Sequence, residues 1–543
     1  MTSAASSLGI ATSVDVLMAA ALYLSFVTGS LFILPIGSMA VGAYTFGWLT
    51  VHGTSTLAAT VIGVLGGGVL TAVGGLLSAR MSGWSSAMAG FAMAEIVQTF
   101  FFNFGPTGGA AGLTGVALST TFGEAVIITA VVLLGILWFE LSRPGLKARA
   151  IRADGLSAEC SGITVWRVRV ILFTVGGLIA GAAGVLNAGF LGFISPASYG
   201  LEQLNSFIVA PVLGGSETII GSAVGGTVTT VLPTYVGSLA QYSLVAFGLI
   251  VIVLMLLRRG GLISGRSVRL AAEWARLKRP SKARLEQSAA RGARSLRIEH
   301  ISKSFGGNHV LKDVSFAVEA ASIHGLIGSN GAGKTTLLNV ISGIVAPDSG
   351  HIHLGDTSLT RKSVPARVRL GLSRTFQNIR LYGDLTVAEH VETAAERNSV
   401  AVIEMLGLQD FAALLPKNLP YGSQRKVEIA RAAVLRPRVL LLDEPAAGMA
   451  GNEMNELAEI ILRLRANGAT ILVIDHNVGF IRRIAETITV LNFGEVIAQG
   501  EPEDVLANPA VIDAYLGQGS TRSTVPTDDH AGGDGLSDED VIA

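Results

Sequence analysis

The stretch Gly328-Ser329-Asn330-Gly331-Ala332-Gly333-Lys334-Thr335-Thr336 sets two glycines around four residues and follows them with lysine and threonine. That spacing suits the binding of phosphates. Glycines let the backbone curl so that successive N–H groups aim at phosphate oxygens, and a helix beginning there adds the positive end of its dipole. Lys334 would meet the β and γ phosphates of a nucleotide, and Thr335 would offer its hydroxyl to Mg²⁺. Further along, residues 439–442 are an apolar run that ends in Asp443 and Glu444, and residues 471–474 are another that ends in Asp475 and His476. Asp443 would hold Mg²⁺ directly or through water, Glu444 would polarise an attacking water, and His476 would contact the γ-phosphate. Together these residues point to hydrolysis of ATP.

Such a site needs an α/β framework. Residues 323–327 read as a buried strand leading into the glycine loop, and residues 337–341 continue a helix leading out of it. Ligands bind at the carboxyl ends of parallel strands, so the runs before Asp443 and His476 should lie beside the loop. Residues 296–298 and 314–318 have strand character. Leu419-Pro420-Tyr421-Gly422-Ser423-Gln424-Arg425 precedes an expected helix at 427–435.

All of this belongs to the second half of the chain. The whole is 543 residues, 50% hydrophobic and only 15% charged, low for a soluble protein. The deficit of charge is concentrated before residue 258. Spans of roughly 20 apolar residues cross a bilayer. Candidates are 14–34, 36–51, 57–78, 86–104, 124–141, 168–193, 219–236 and 239–257, with a shorter apolar segment at 204–213 that suits a half-helix or a tilted one. The total is about seven to nine spans by this length criterion. Gly63 with Gly67, Gly177 with Gly181 and Gly221 with Gly225 have the spacing that lets helices approach closely in lipid. Glu95, with Gln98 three residues on, is either an intramembrane functional carboxylate or a group that lies near a helix end or pairs with a neighbour.

Lysines and arginines mark the cytoplasmic side. They collect in the loop holding Arg143, Lys147, Arg149, Arg152, Arg167 and Arg169, and again from Arg258 to Arg294, where Trp274 and Leu277 suggest a short surface helix. Net charge is zero, which gives no global field for nucleic acid. Cys160 is the single cysteine, so no intramolecular disulfide forms, and it reads as a small structural residue. The first residues lack a basic segment, so no cleavable signal peptide is expected. Residues 520–543 are polar, end in an acidic cluster and read as a disordered tail.

Residues 296–517 resemble the nucleotide-binding domain of ABC transporters, on the glycine loop, Phe376-Gln377, Leu419 to Arg425, Asp443-Glu444 and Asp475-His476. The resemblance implies that Phe305 stacks on adenine, that Gln377 senses the membrane domain and reaches Mg²⁺, and that Leu419 to Ser423, Gly422 and Ser423 included, cap the nucleotide of a partner domain. It makes Glu444 the catalytic base, His476 the switch histidine, and Ala447-Gly448 part of the loop crossing the dimer interface. Pro420 stands where the family usually has a serine, Tyr421 at the first glycine and Ser423 at the glutamine. A tyrosine there is a habit of the branched-chain amino acid branch. The membrane half is similar to that branch's permeases, on Gly90 to Val97, Thr107-Gly108-Gly109, Arg152-Ala153-Asp154, Gly192 to Pro196 and Val212 to Gly215. By this resemblance residues 148–162 form the coupling segment that docks near Gln377.

The expectation is a multi-domain protein. A polytopic α-helical membrane domain (1–258) would lead through a basic linker (259–294) to an α/β P-loop ATPase domain of ABC type (295–518) and a tail (519–543). The resemblance implies a half-transporter in the cytoplasmic membrane, its ATPase in the cytoplasm, importing branched-chain or related small amino acids with ATP and Mg²⁺. Partners would be second permease and ATPase subunits, a substrate-binding protein and the lipid bilayer, with no nucleic acid. Urea or a short-chain amide is the alternative cargo, and a membrane-tethered regulatory ATPase is the alternative without transport.

Overall fold

The computed structural model describes residues 4–81, 83–236, 292–395 and 399–516, with isolated positions between 248 and 263. The helices of the first half are α1 (Ala4–Phe26), α2 (Pro35–Val51), α3 (Thr56–Ser78), α4 (Gly83–Asn103), α5 (Phe122–Leu141), α6 (Arg143–Ala153), α7 (Gly155–Cys160), α8 (Val165–Leu191), α9 (Leu201–Gly214) and α10 (Ile219–Val236). A two-residue ladder joins β1 (Leu113–Thr114) to β2 (Phe193–Ile194). Then come β3 (Leu296–Phe305), β4 (Asn308–Val318), β5 (Ile323–Gly328), α11 (Lys334–Ser342), β6 (Ser349–Leu354) and β7 (Thr357–Ser358). After them lie α12 (Val364–Leu370), β8 (Leu372–Arg374), α13 (Val387–Ala394), α14 (Ser399–Met405), α15 (Tyr421–Ala433) and β9 (Val439–Asp443). The chain closes with α16 (Gly451–Ala466), β10 (Thr470–Ile474), α17 (Val478–Ile484), β11 (Thr487–Asn492), β12 (Glu495–Gly500), α18 (Pro502–Leu506) and α19 (Pro509–Leu516). Two compact units result: Met1–Arg291 with Lys362–Leu440, and Gly292–Arg361 with Leu441–Ala543.

In the first unit, α1, α3, α5 and α8 are long and apolar enough to cross a membrane, and α4 with the turn after it, bent by 81°, makes a fifth if counted as one span. The expected span at 239–257, the linker around Trp274 and the tail lie outside the described residues, apart from isolated positions. The first span departs from expectation. The helix runs Ala4–Phe26 rather than 14–34, because the chain turns at Gly29, whose φ of 71° only glycine adopts freely. A methyl there would also stand 3.1 Å from the Arg152 Cα. Glu95 sits mid-helix in α4, half-buried, not near a helix end. Its neighbour Gln98 donates to the Pro196 carbonyl at 3.1 Å.

The core of the membrane bundle is built where α2, α3 and α8 cross. A methyl on Gly67 would lie 2.8 Å from the Gly177 carbonyl oxygen, and Ser38 Oγ donates to the Gly67 carbonyl at 2.9 Å. Helices without side chains at the crossing approach until backbone meets backbone. Phe32 and Phe173 then stack at 4.2 Å beside the crossing.

In the second unit, β5 lies between β11 and β10, parallel to both, and β12 runs antiparallel outside β11. Every residue of β5, β9 and β10 is buried, which explains why these strands read as largely apolar runs. A second, antiparallel sheet has the order β4-β3-β6-β7.

Candidate nucleotide site and coupling surface

The glycine loop joins β5 to α11. Gly331 (φ 81°) and Gly333 (φ 102°) hold backbone conformations closed to ordinary side chains. A methyl on Gly333 would stand 2.8 Å from the Val310 carbonyl oxygen, whereas one on Gly331 would meet nothing within 4 Å. So Gly333 closes the loop against β4, and Gly331 faces open space. Lys334 Nζ donates to the carbonyls of Gly328 and Ser329, each at 2.8 Å, which folds its ammonium back across the loop. Burial lowers the Lys334 pKa, and the nearby charges of Glu444 and Asp443 oppose that shift. The loop is held from behind by Ser329 Oγ on Asn492 at 3.1 Å and by the Gly494 N–H on the Ala332 carbonyl.

The carboxylates come from the end of β9. Asp443 is buried. Glu444 turns into the left-handed region (φ 45°), and its N–H donates to the Ile474 carbonyl at 2.7 Å. Such a conformation in a residue with a side chain costs about 1–3 kcal/mol and persists only where neighbours enforce it. Here it swings the Glu444 carboxylate out of the strand line, to 3.8 Å from His476 Nδ1. His476 is exposed and stands the same distance from Asp475. Asp475 had no role in the sequence reading. It is buried and accepts the N–H groups of Ala446 at 3.1 Å and Asn477 at 2.9 Å, so it ties the end of β10 to the segment after Glu444. Burial raises its pKa against those bonds. The signal for it was the acid directly before His476.

The residues fit a nucleotide and its metal. The first-turn N–H groups of α11 have no acceptor inside the helix, Lys334 adds an ammonium, and Thr335 is exposed beside it. Phe305 ends β3 with its ring half-exposed and the Lys303 ammonium 5.3 Å from the ring centre.

Gln377, Gly422 and Ser423 belong to the first unit. Gln377 is exposed. The helix after the Leu419 segment begins at Tyr421, not at the expected 427, so Gly422 and Ser423 are in its first turn. Pro420 explains the early start. It is the flanking residue (φ −56°, ψ 152°), and its carbonyl accepts from the Gln424 N–H at 3.0 Å. An N–H at that position has no intrahelical acceptor, so proline loses nothing there.

Sequence reasoning missed what stands behind Gln377. Arg425 Nη1 donates to the Phe376 carbonyl at 2.7 Å and Nη2 to the Gln377 carbonyl at 2.9 Å, while Glu428 accepts the Phe376 N–H at 2.9 Å. Arg431 donates to the Arg380 carbonyl at 2.8 Å. The signal available was the i, i+3 pairing of Arg425 and Glu428 in α15.

The basic loop of the membrane half folds as α6 and α7 and seats on this same surface. Asp154 caps α7 through the Ser157 N–H at 2.9 Å and also pairs with Arg380 at 3.0 Å. Ser157 Oγ donates to the Arg380 carbonyl, Arg149 pairs with Glu389 at 3.1 Å, and Ser161 meets the Tyr382 hydroxyl at 3.5 Å. Beneath lies an apolar cluster including Leu146, Ile151, Ile163, Tyr382 and Leu385. The expected docking of residues 148–162 near Gln377 takes this form. Cys160 is buried here, its thiol pushed up to about 12 by desolvation, which makes it inert.

Three family models match the chain. Residues 5–258 match the branched-chain amino acid transport system permease component, residues 311–447 the ABC transporter model, and residues 495–520 the branched-chain amino acid ATP-binding cassette transporter. Among curated proteins, the chain is 36% identical over 249 residues to the high-affinity branched-chain amino acid transport ATP-binding protein LivG of Salmonella typhimurium, covering 41% of this chain and 98% of that protein. It is 34% identical over the same length to BraF of Pseudomonas aeruginosa, again 98% of that protein. It is also 34% identical to the lipopolysaccharide export system ATP-binding protein LptB of Acidithiobacillus ferridurans, over 96% of that protein. The ATPase half is thus similar to ATP-binding proteins named for different cargo, and the permease half and the C-terminal match carry the narrower likeness. The chain belongs to the branched-chain amino acid branch of the ABC transporter family and carries permease and ATP-binding domains in one polypeptide.

Proposed function

We propose that this chain is one half of an ATP-driven importer of branched-chain or related small amino acids, working in the cytoplasmic membrane with its ATPase domain in the cytoplasm. The observation that carries the reading is the seat of α6 and α7 on the surface behind Gln377, through Arg149–Glu389 and Asp154–Arg380. A permease fused to an ATPase through such a seat suits work done on the membrane half by nucleotide.

In this reading Lys334 and the N–H groups of the glycine loop bind the β and γ phosphates, and Phe305 stacks on adenine. Thr335, Asp443 and Gln377 would hold Mg²⁺, which supplies charge neutralisation between the β and γ phosphates. Glu444 accepts a proton from water as the water oxygen bonds to the γ-phosphorus and the bond to the β-phosphate oxygen breaks, leaving ADP and phosphate. His476 contacts the γ-phosphate. Gly422 and Ser423 cap the nucleotide of a partner ATPase, so a second permease and ATPase complete the machine. A separate substrate-binding protein delivers cargo.

The test is ATPase activity of the lipid-reconstituted complex, with binding proteins loaded with leucine, isoleucine, valine or urea. Stimulation by a loaded amino acid protein is the expected result. Stimulation by urea alone moves the cargo to amides, and turnover that no loaded protein changes overturns import in favour of a regulatory ATPase.

A further inference from the structure

We propose that the membrane half holds the phosphate of an anionic phospholipid in a cleft at its cytoplasmic edge, beside α6. The cleft has a volume of about 350 Å³ and is lined by the turn between α1 and α2 (Gly29, Ser30), the start of α4 (Gly83, Trp84) and Arg152 of α6. Three features give it the chemistry of an anion site.

Ser30 is 1% exposed, and its Oγ has no hydrogen-bond partner among the described residues. A buried hydroxyl left unpaired is unfavourable, so a group that pairs it is favoured. Arg152 lines the cleft and makes a single hydrogen bond among the described residues, from Nη1 to the Ser216 carbonyl at 3.0 Å. The cleft also meets the N-terminus of α4, a helix of 21 residues, whose first N–H groups lack helical acceptors and whose dipole favours negative charge. None of the lining residues is acidic.

The surroundings select lipid as the source of the phosphate. Trp84 lines the cleft and is 72% exposed. Arg169 at the start of α8 donates to the carbonyls of Ala79 and Met81, in the turn that leads into α4. At the same level the Trp166 ring has Arg80 at 5.2 Å and Arg167 at 5.4 Å. Tryptophan and arginine together mark the headgroup level of a bilayer, and basic pockets between helices on the cytoplasmic side take anionic headgroups. A headgroup bound here would touch α6, the helix that carries Arg149 to its partner Glu389, so membrane charge would steady the coupling segment.

The test uses the full-length chain with its partner subunits in detergent. Dioctanoyl phosphatidylglycerol, dioctanoyl phosphatidylcholine and inorganic phosphate are each titrated, with bound lipid read by native mass spectrometry and stability by the thermal unfolding midpoint. Phosphatidylglycerol should bind and raise the midpoint, and phosphatidylcholine should do neither. Arg152→Gln and Ser30→Val should each lose the effect, and Arg152→Lys should keep most of it. Should Arg152→Gln not fold, Ser30→Val and Arg152→Lys carry the comparison alone. An unchanged response in Ser30→Val, or equal responses to the two lipids, overturns the site. Inorganic phosphate reproducing the full shift overturns the lipid as its source.

Discussion

Arg425 and Glu428 form an ion pair at 2.8 Å with neither side chain exposed, and between them they bind both backbone groups of Phe376. The pair thus locks the start of α15, which holds Gly422 and Ser423, to the segment after β8 that holds Gln377. Burial raises the Glu428 pKa, and Arg431 and Arg425 oppose the shift. The same helix reaches Arg380 through Arg431, and Arg380 reaches Asp154 of the coupling segment. One set of polar contacts therefore runs from the capping segment to the membrane half.

Breaking one partner of a buried pair strands the other charge, at a cost of about 3–5 kcal/mol. Arg425→Met alone should lower the unfolding midpoint of the complex sharply, and adding Glu428→Leu should restore only the part due to the stranded charge, since the Phe376 and Gln377 backbone groups stay without their partners. The double variant should still lose stimulation by loaded binding protein, because Phe376 and Gln377 lose their anchors. Normal stimulation in the double variant would show that the lock is structural only.

Glu444→Gln should keep nucleotide affinity and slow hydrolysis about 100-fold or more, the scale of a lost general base. Phosphate release and equilibrium binding of ATP measure the two sides separately. Normal turnover would remove Glu444 from the proposed role.

Two glycines of the phosphate loop should respond unequally. Gly331→Ala meets only the strain of the left-handed conformation, about 1–2 kcal/mol, since nothing stands within 4 Å of the new methyl. Gly333→Ala adds collisions with Val310 and Leu311 and should abolish ATP binding. Titration with a fluorescent ATP analogue ranks them.

Reversing Arg380 to Asp sets like charges against Asp154 and should cut transport per ATP while basal hydrolysis persists. Asp154→Arg in the same chain should return part of the coupling. Both groups are partly exposed, so the pair itself contributes on the order of 0.2–1 kcal/mol, and the readout is coupling rather than stability.

His324 and His390 are buried, and desolvation lowers them to about 4 and about 3. Each stays neutral in the folded protein while the unfolded chain takes up a proton below its ordinary pKa of 6.5. Their contribution to stability is therefore full above pH 6.5 and is lost as pH falls toward the folded values, at up to about 1.4 kcal/mol per pH unit for each. His390 is bound on both nitrogens, to the Tyr382 N–H and the Thr386 carbonyl at 2.7 Å each. His324 sits between Thr487 and Thr489. Unfolding midpoints between pH 7 and 5 should fall less steeply in His324→Gln than in the parent chain.

Much of this protein was legible in its residues. The glycine loop, the acid pair after one apolar run and the histidine after another were legible as motifs, and the structure sets them at the ends of β5, β9 and β10. Buried parallel strands leave a short, largely apolar run, and bilayer helices leave a long one. The element bounds were less legible. Residues 14–34 are predominantly apolar, yet α1 ends at Phe26, because the turn at Gly29 answers to the backbone of Arg152, far away in sequence.

What the sequence by itself determined is the local pattern: the glycine loop, the acid pair, the apolar spans and the basic loop between them. What only the tertiary structure decided is how distant polar groups meet. Arg425 beneath Gln377, Asp475 holding the segment after Glu444, Asp154 on Arg380, and the Ser30 hydroxyl, without a partner among the described residues, in the cleft that Arg152 also lines leave no periodic mark. Charge and hydrogen-bonding capacity are properties of single residues, but the desolvation that makes them matter depends on what the fold packs around them.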